Sequence, residues 1–373
     1  MELMSKQTIV IGVAIAVGFF ALFLLLQSFG IFSKAPFING VVPKSSPPGS
    51  VLTGLGIAKQ TALFLDKSLQ EDGSINEEYL CVDNTCRHNP QETGSSIGYV
   101  AQAYYALFQK TGEEAYKEKA LRIARLILQN CTQLERVCHQ NIAGLYYLYK
   151  QTGENEYKEA ILSIKERIYQ YSFHTEAIIG WETLGDELAI LYELTEDPKY
   201  KNRLERIAQD FLANKYDLDT DENPVFYQEG DLVIRTYSIQ IAWDKYLQAF
   251  RVSKNPAYLQ AAKGFFRKAN IEGHFEDFKR NTNAQDMNFI SGLLDLKDAL
   301  DDPKEKAKFG DLVHKLAQLA YSNLSDNPQN QKFNGDYGFL FNTRKEGTRK
   351  LTIHSGWRIS QYLRMADETF TIH

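Results

Sequence analysis

The sequence lacks what several common protein classes require. Only 10 of its 373 residues are Pro and 24 are Gly, which excludes a collagen-like chain. With 44% hydrophobic and 24% charged residues, it is neither low-complexity nor disordered. Basic charge is not in excess: 42 Lys and Arg stand against 47 Asp and Glu, for a net charge of −5. An acidic chain without a basic run points away from nucleic acid as a partner. There is no glycine-rich phosphate loop, no His-Glu-x-x-His zinc helix and no Gly-x-Ser-x-Gly elbow. Asp217-Leu218-Asp219-Thr220-Asp221-Glu222-Asn223 alternates oxygens like the start of a calcium loop. It lacks that loop's Gly at position six, and Gln228 stands where the loop needs Glu, so it is not an EF-hand. No metal and no cofactor are expected.

What is present begins with an apolar run. Ile9 to Leu26 holds eighteen residues without a charge, amide or hydroxyl, enough to cross about 30 Å of hydrocarbon as a helix. That exceeds the apolar core of roughly 7–15 residues in a signal peptide, and the late triplet Ser33-Lys34-Ala35 runs into Pro36. Residues 1–34 therefore read as an uncleaved transmembrane anchor. Residues 35–50, with Pro36, Pro43, Pro47 and Pro48, read as a Pro/Gly/Ser linker, and 51–373 as one domain.

Cysteine is scarce. The four residues form two close pairs, Cys81 with Cys86 and Cys131 with Cys138, downstream of the apolar run. Even-numbered local pairs after an export segment suggest two disulfides in an oxidising compartment. A zinc site from Cys86, His88, Cys138 and His139 has no recognised finger spacing. The expected arrangement is a single-pass membrane protein with its C-terminal domain outside the cytoplasm.

From Val51 onward a helical hairpin repeats. Its turns contain Thr111-Gly112, Thr152-Gly153, Asp197-Pro198, Asn255-Pro256 and Asp302-Pro303. Asp197, Asn255 and Asp302 suit the N-cap, with Pro at the first helical position. One helix of each hairpin is apolar nearly all round and must be enclosed. The other is amphipathic and faces water on one side. The pattern predicts twelve helices, near 52–70, 95–110, 113–129, 138–151, 154–171, 182–194, 197–213, 235–251, 255–270, 286–300, 303–324 and 354–368. Six inner helices alternating with six outer ones make an all-α (α/α)6 toroid. A tetratricopeptide solenoid repeats near 34 residues, whereas Gly112, Gly153, Pro198, Pro256 and Pro303 are 41, 45, 58 and 47 apart.

On this periodicity, and on Asp72-Gly73-Ser74-Ile75 after the first helix, residues 51–373 resemble the six-hairpin glycosidase-like superfamily. No catalytic signature of that superfamily is matched residue by residue. The resemblance implies a pocket where the long loops meet the N-termini of the inner helices. Here those loops are 71–94, 130–138, 172–181, 214–234, 271–285 and 325–353, all at one end of the ring.

Glycoside hydrolysis generally needs two carboxylates. Glu182 and Asp186 are four apart and share a helix face; Asp286 or Asp72 could oppose them. Trp181 and Trp357 are candidate sugar-stacking platforms. Arg235 and Arg358 are candidate carboxylate clamps, and His139, His354 and Tyr237 gather at the same end. First-turn acids also stabilise a helix N-terminus, which alone accounts for Glu182 and Asp286. Two functions fit: a membrane-anchored glycoside hydrolase (or a lyase or epimerase), or a non-catalytic ring that binds glycan, peptide or protein as a cell-envelope scaffold.

Overall fold

The computed structural model describes residues 51–76, 78–82, 85–88, 97–131, 141–174, 184–213, 244–269, 290–326, 340–344 and 347–371. Contacts divide the chain into Met1–Val41 and Val42–His373, and all described residues belong to the second unit. The expected anchor and linker lie outside them. Among the described residues no helix is long and apolar enough to cross a membrane.

Strand β1 (Val51–Thr53) leads into α1 (Gly54–Ser68), whose N-terminus is capped by Thr53 Oγ1 accepting from the Gly56 amide at 3.1 Å. After the hairpin β2 (Glu78–Val82) and β3 (Thr85–His88), the helices follow in pairs. These are α2 (Gly98–Thr111) with α3 (Glu114–Cys131), and α4 (Ile142–Thr152) with α5 (Asn155–Ser163) and α6 (Lys165–Tyr171). Then come α7 (Leu184–Thr195) with α8 (Pro198–Leu212), α9 (residues 244–253) with α10 (Pro256–Ala269), and α11 (Ile290–Ala299) with α12 (Pro303–Asp326). Strands β4 (Leu340–Arg344) and β5 (Gly347–Leu351), helix α13 (Thr352–Arg364) and strand β6 (Thr369–Thr371) complete the domain.

The twelve expected helices are present, with one change: the helix expected over 154–171 breaks at Ile164, whose φ of −108° and ψ of 5° separate α5 from α6. The inner set is α2, α4, α7, α9, α11 and α13. In α7, buried residues follow one another almost without interval, from Leu184 and Gly185 through Glu187 to Leu191. The outer α8 instead buries Tyr200, Leu204, Ile207, Ala208 and Phe211, a single stripe at helical spacing. Full burial of each large side chain in that stripe contributes about 1.5–3 kcal/mol.

Four of the hairpin turns share one device. Thr111, Thr152, Thr195 and Ser253 each donate a side-chain hydroxyl to the carbonyl four residues back, at 2.6–2.9 Å. Each hydroxyl also accepts the amide two residues ahead, at 3.1–3.2 Å. Between them lies a left-handed residue: Gly112 (φ 72°), Gly153 (φ 74°), Glu196 (φ 56°) or Lys254 (φ 58°). The two Thr-Gly turns, the Asp197-Pro198 turn and the Asn255-Pro256 turn, which look different in sequence, are one structure.

Ring closure is visible in the last helix, which packs on both α1 and α2. A Cβ on Gly54 would lie 2.2 Å from the Met365 carbonyl oxygen, so only glycine allows this approach. Strand β6 pairs antiparallel with β1, matching Thr371 to Val51 and Thr369 to Thr53.

The expectation of an all-α domain is corrected by six short strands. Four of them form a sheet in the order β3-β2-β5-β4, which joins the first long loop to the last. Tyr79 of β2 is buried against Phe64 of α1, with ring centroids 5.5 Å apart. In the β2–β3 register Cys81 stands opposite Cys86. Cys131 is the final residue of α3, and Cys138 lies outside the described residues.

A carboxylate cluster inside the ring as candidate active site

Adjacent inner helices meet at their N-termini, and there they cap one another. Asn141, just before α4, accepts the Gly98 amide of α2 through its Oδ1. Asp244, the first described residue of α9, accepts the Gly185 amide of α7 through Oδ2 at 3.1 Å. Glycine is needed at these contacts because the backbones nearly touch: a Cβ on Gly185 would lie 2.9 Å from the Asp244 carbonyl oxygen.

This contact brings Asp186, in the first turn of α7, beside Asp244. Asp244 Oδ2 also receives Lys245 Nζ at 2.9 Å, and that lysine has no exposed side-chain surface. Asp186 keeps 29% of its side chain exposed. Burial raises its carboxyl, the negative charge of Asp244 raises it further, and Arg251 opposes both; the result is pushed up to about 8. Asp295 of α11 also adds to the rise, and Lys245 works against it.

Arg251, late in α9, reaches two of the three acids of α7, Glu193 and Asp186. Its Nε is 2.8 Å from Glu193 Oε1 and its Nη1 is 3.6 Å from Asp186 Oδ1. The Tyr146 hydroxyl of α4 donates to the other Glu193 oxygen. Across the ring, Arg364 of α13 binds Asp295 at 2.7 Å and Asp298 at 2.6 Å. Burial pushes the Asp295 carboxyl up, while Arg364 pulls it down. Among the described residues, no three His, Cys, Asp or Glu side chains are grouped to hold a metal ion.

Of the residues singled out in sequence, Asp186 belongs to this cluster. Glu182, Asp286, Trp181, Arg235, His139 and Tyr237 lie outside the described residues, and His354 is described only as part of the α13 backbone. Asp72 is exposed in a turn against the outer helix α3, where a Cβ on Gly73 would meet the Arg122 carbonyl oxygen at 2.6 Å. Its Oδ1 accepts the Ser74 amide at 2.9 Å, and bonding to Ser74 lowers its pKa. Trp357 packs edge-on against Tyr99, with centroids 5.2 Å apart. Arg358 is fully buried; it donates to Gln361, which donates to Ser291, linking α13 to α11.

Asp244, Glu193, Arg251 and Asp295 were not candidates from sequence. Each lies within or at the start of a largely apolar inner helix, and a polar side chain there has to face the ring interior. That exception to an apolar pattern was the available signal.

No family model and no curated protein sequence matches the chain. Solved structures do. An unsaturated glucuronyl hydrolase specific for heparin superposes with a TM-score of 0.59 at 13% identity, covering 84% of this chain and 96% of its own. The ring is the fold of the six-hairpin glycosidases. An unsaturated glucuronyl hydrolase of Bacillus sp. GL1, responsible for glycosaminoglycan degradation, shares the six-hairpin fold with a TM-score of 0.57 at 15% identity, over 83% of this chain and 94% of that one. An inactive variant of an α-1,6-mannanase of Salegentibacter sp. HEL1_6, in complex with α-1,6-mannotriose, matches with a TM-score of 0.54 at 11% identity, over 84% and 99%. At such identities the likeness establishes the six-hairpin fold alone.

Proposed function

We propose that this chain is a carbohydrate-active hydrolase in which Asp186 delivers a proton to a glycosidic oxygen. The observation that carries the reading is geometric: Asp186, in the first turn of α7, lies beside Asp244 of α9, and burial together with that neighbouring charge raises its carboxyl. A glycosidase acid needs that property. Asp244, ion-paired with Lys245, is the adjacent charged carboxylate. It stabilises positive charge developing at the sugar carbon or orients the attacking water. The six-hairpin neighbours act on glycosaminoglycan and mannan substrates, which supports an oligosaccharide as ligand here.

Location belongs to the same proposal. Residues 9–26 anchor the chain and 35–50 tether the ring outside the cytoplasm. The described chain starts at Val51, paired with Thr371 beyond the C-terminal end of α13, the end where the hairpin turns lie. Protease treatment of sealed vesicles tests this; a protected C-terminal domain overturns it.

A second reading, a ring that binds glycan without cleaving it, is favoured by one observation. Asp244, Glu193, Asp295 and Asp298 each have a cationic partner, as in a purely structural network. Binding and turnover on a glycan panel, repeated with Asp186→Asn, separate the two. Turnover lost with binding kept supports hydrolysis. Binding without turnover by the unmodified protein supports the scaffold.

A further inference from the structure

Glu193 lies seven residues beyond Asp186 on α7, about two turns along the same face. Arg251 reaches across from α9 and divides itself unequally between them. Nε is at hydrogen-bonding distance from Glu193, 2.8 Å, whereas Nη1 stops 3.6 Å short of Asp186. The guanidinium does not satisfy itself in this position: Nη2 is buried and, among the described residues, has no hydrogen-bond partner. Turned toward Asp186, the same group would make the two parallel bonds that arginine and carboxylate favour. Something holds it back, and Glu193 is fixed for that purpose from both sides. One carboxylate oxygen takes Arg251 Nε, and the other takes the Tyr146 hydroxyl from α4.

We propose that Glu193 is a positioning residue: braced by Tyr146, it holds Arg251 short of a full ion pair with Asp186. The proposal rests on the reading of Asp186 as the proton donor. A carboxylate in a full pair with arginine is stabilised as the anion and loses its proton well below neutrality. Among the described residues, the other charged groups around Asp186 are already engaged. Asp244 is occupied by Lys245 and the Gly185 amide, and Asp295 by Arg364, which also binds Asp298. Among the described residues two cations lower the Asp186 carboxyl, Arg251 and Lys245; Lys245 is held on Asp244, so Arg251 is the one that can approach further, and Glu193 sets its position.

The test follows the Asp186 carboxyl in full-length protein carrying 13C-labelled aspartate, its signal assigned by its loss in Asp186→Asn. Glu193→Gln should lower the titration midpoint by about one pH unit or more, the scale on which an approaching opposite charge acts. Tyr146→Phe removes no charge and frees one Glu193 oxygen, so it should shift the midpoint in the same direction by less. Arg251→Met should raise it. An unchanged midpoint in Glu193→Gln overturns the proposal. Should that variant not fold, an unchanged midpoint in Tyr146→Phe does so. The titration needs no substrate, so it stands or falls separately from turnover. If the midpoints move as stated and no glycan is cleaved, the hydrolase reading fails while the restraint on Arg251 holds.

Discussion

Gly98 and Gly144 pack backbone against backbone: a Cβ on Gly144 would lie 2.3 Å from the Gly98 carbonyl oxygen. Neither α2 nor α4 can yield without moving the Asn141 cap on the Gly98 amide. Gly144→Ala is therefore expected to destabilise the ring by about 3 kcal/mol, the upper range for overpacking. Gly264, in the outer helix α10, has nothing within 4 Å of an added Cβ. Gly264→Ala should instead stabilise by about 1 kcal/mol through helix propensity. Urea unfolding of the two variants measures opposite signs for one chemical change.

The shared hairpin turn gives a second pair of opposite signs. Lys254 occupies the left-handed position with φ 58°, where Gly112 has 72°. A side chain there costs about 1 kcal/mol relative to glycine. Lys254→Gly should raise the unfolding free energy by about that amount, and Gly112→Ala should lower it similarly. Thermal unfolding that moved both variants in the same direction would refute the equivalence of the turns.

Asp186 makes stability depend on pH. In the unfolded chain its carboxyl titrates in the ordinary aspartate range, and in the ring it titrates at about 8. Between those values the folded protein holds a proton that the unfolded chain has released. The contribution of this group is thus largest at acid pH and declines as pH rises toward 8. Asp186→Asn cannot ionise, so the difference in urea midpoint between pH 5 and pH 8 should be smaller than in the unmodified protein. An equal or larger difference excludes Asp186 as the source.

Opposite placement of Cys81 and Cys86 in neighbouring strands is the register in which a disulfide closes a hairpin. Protein from an oxidising compartment should resist alkylation at both positions until it is reduced, as read by the mass of the peptide spanning them. Labelling of both before reduction would show them to be thiols.

The helices were legible because their signals are local. Asp197 before Pro198 fixes the start of α8, and the stripe from Tyr200 to Phe211 fixes its buried face. The strands were not, because β2 and β5 lie at opposite ends of the domain sequence and pair only when the ring closes. Asp186 could be singled out from its four-residue spacing to Glu182 near a helix N-terminus. Its companions could not: Arg251 and Asp295 reach it from two other helices, and no spacing within one segment records that. The uniformity of the turns was also hidden, since Thr195 and Ser253 form the same hydroxyl bridge as Thr111 but precede glutamate and lysine rather than glycine.

The pairing of Val51 with Thr371 means that the circuit of hairpins has no necessary beginning. Covalently joining those two strands and opening the chain at the Gly112 turn, where a Cβ would meet nothing within 4 Å, would preserve every helix and every neighbour. The order in which the hairpins are synthesised is then a matter of genetic layout. The ring itself is defined by adjacency alone.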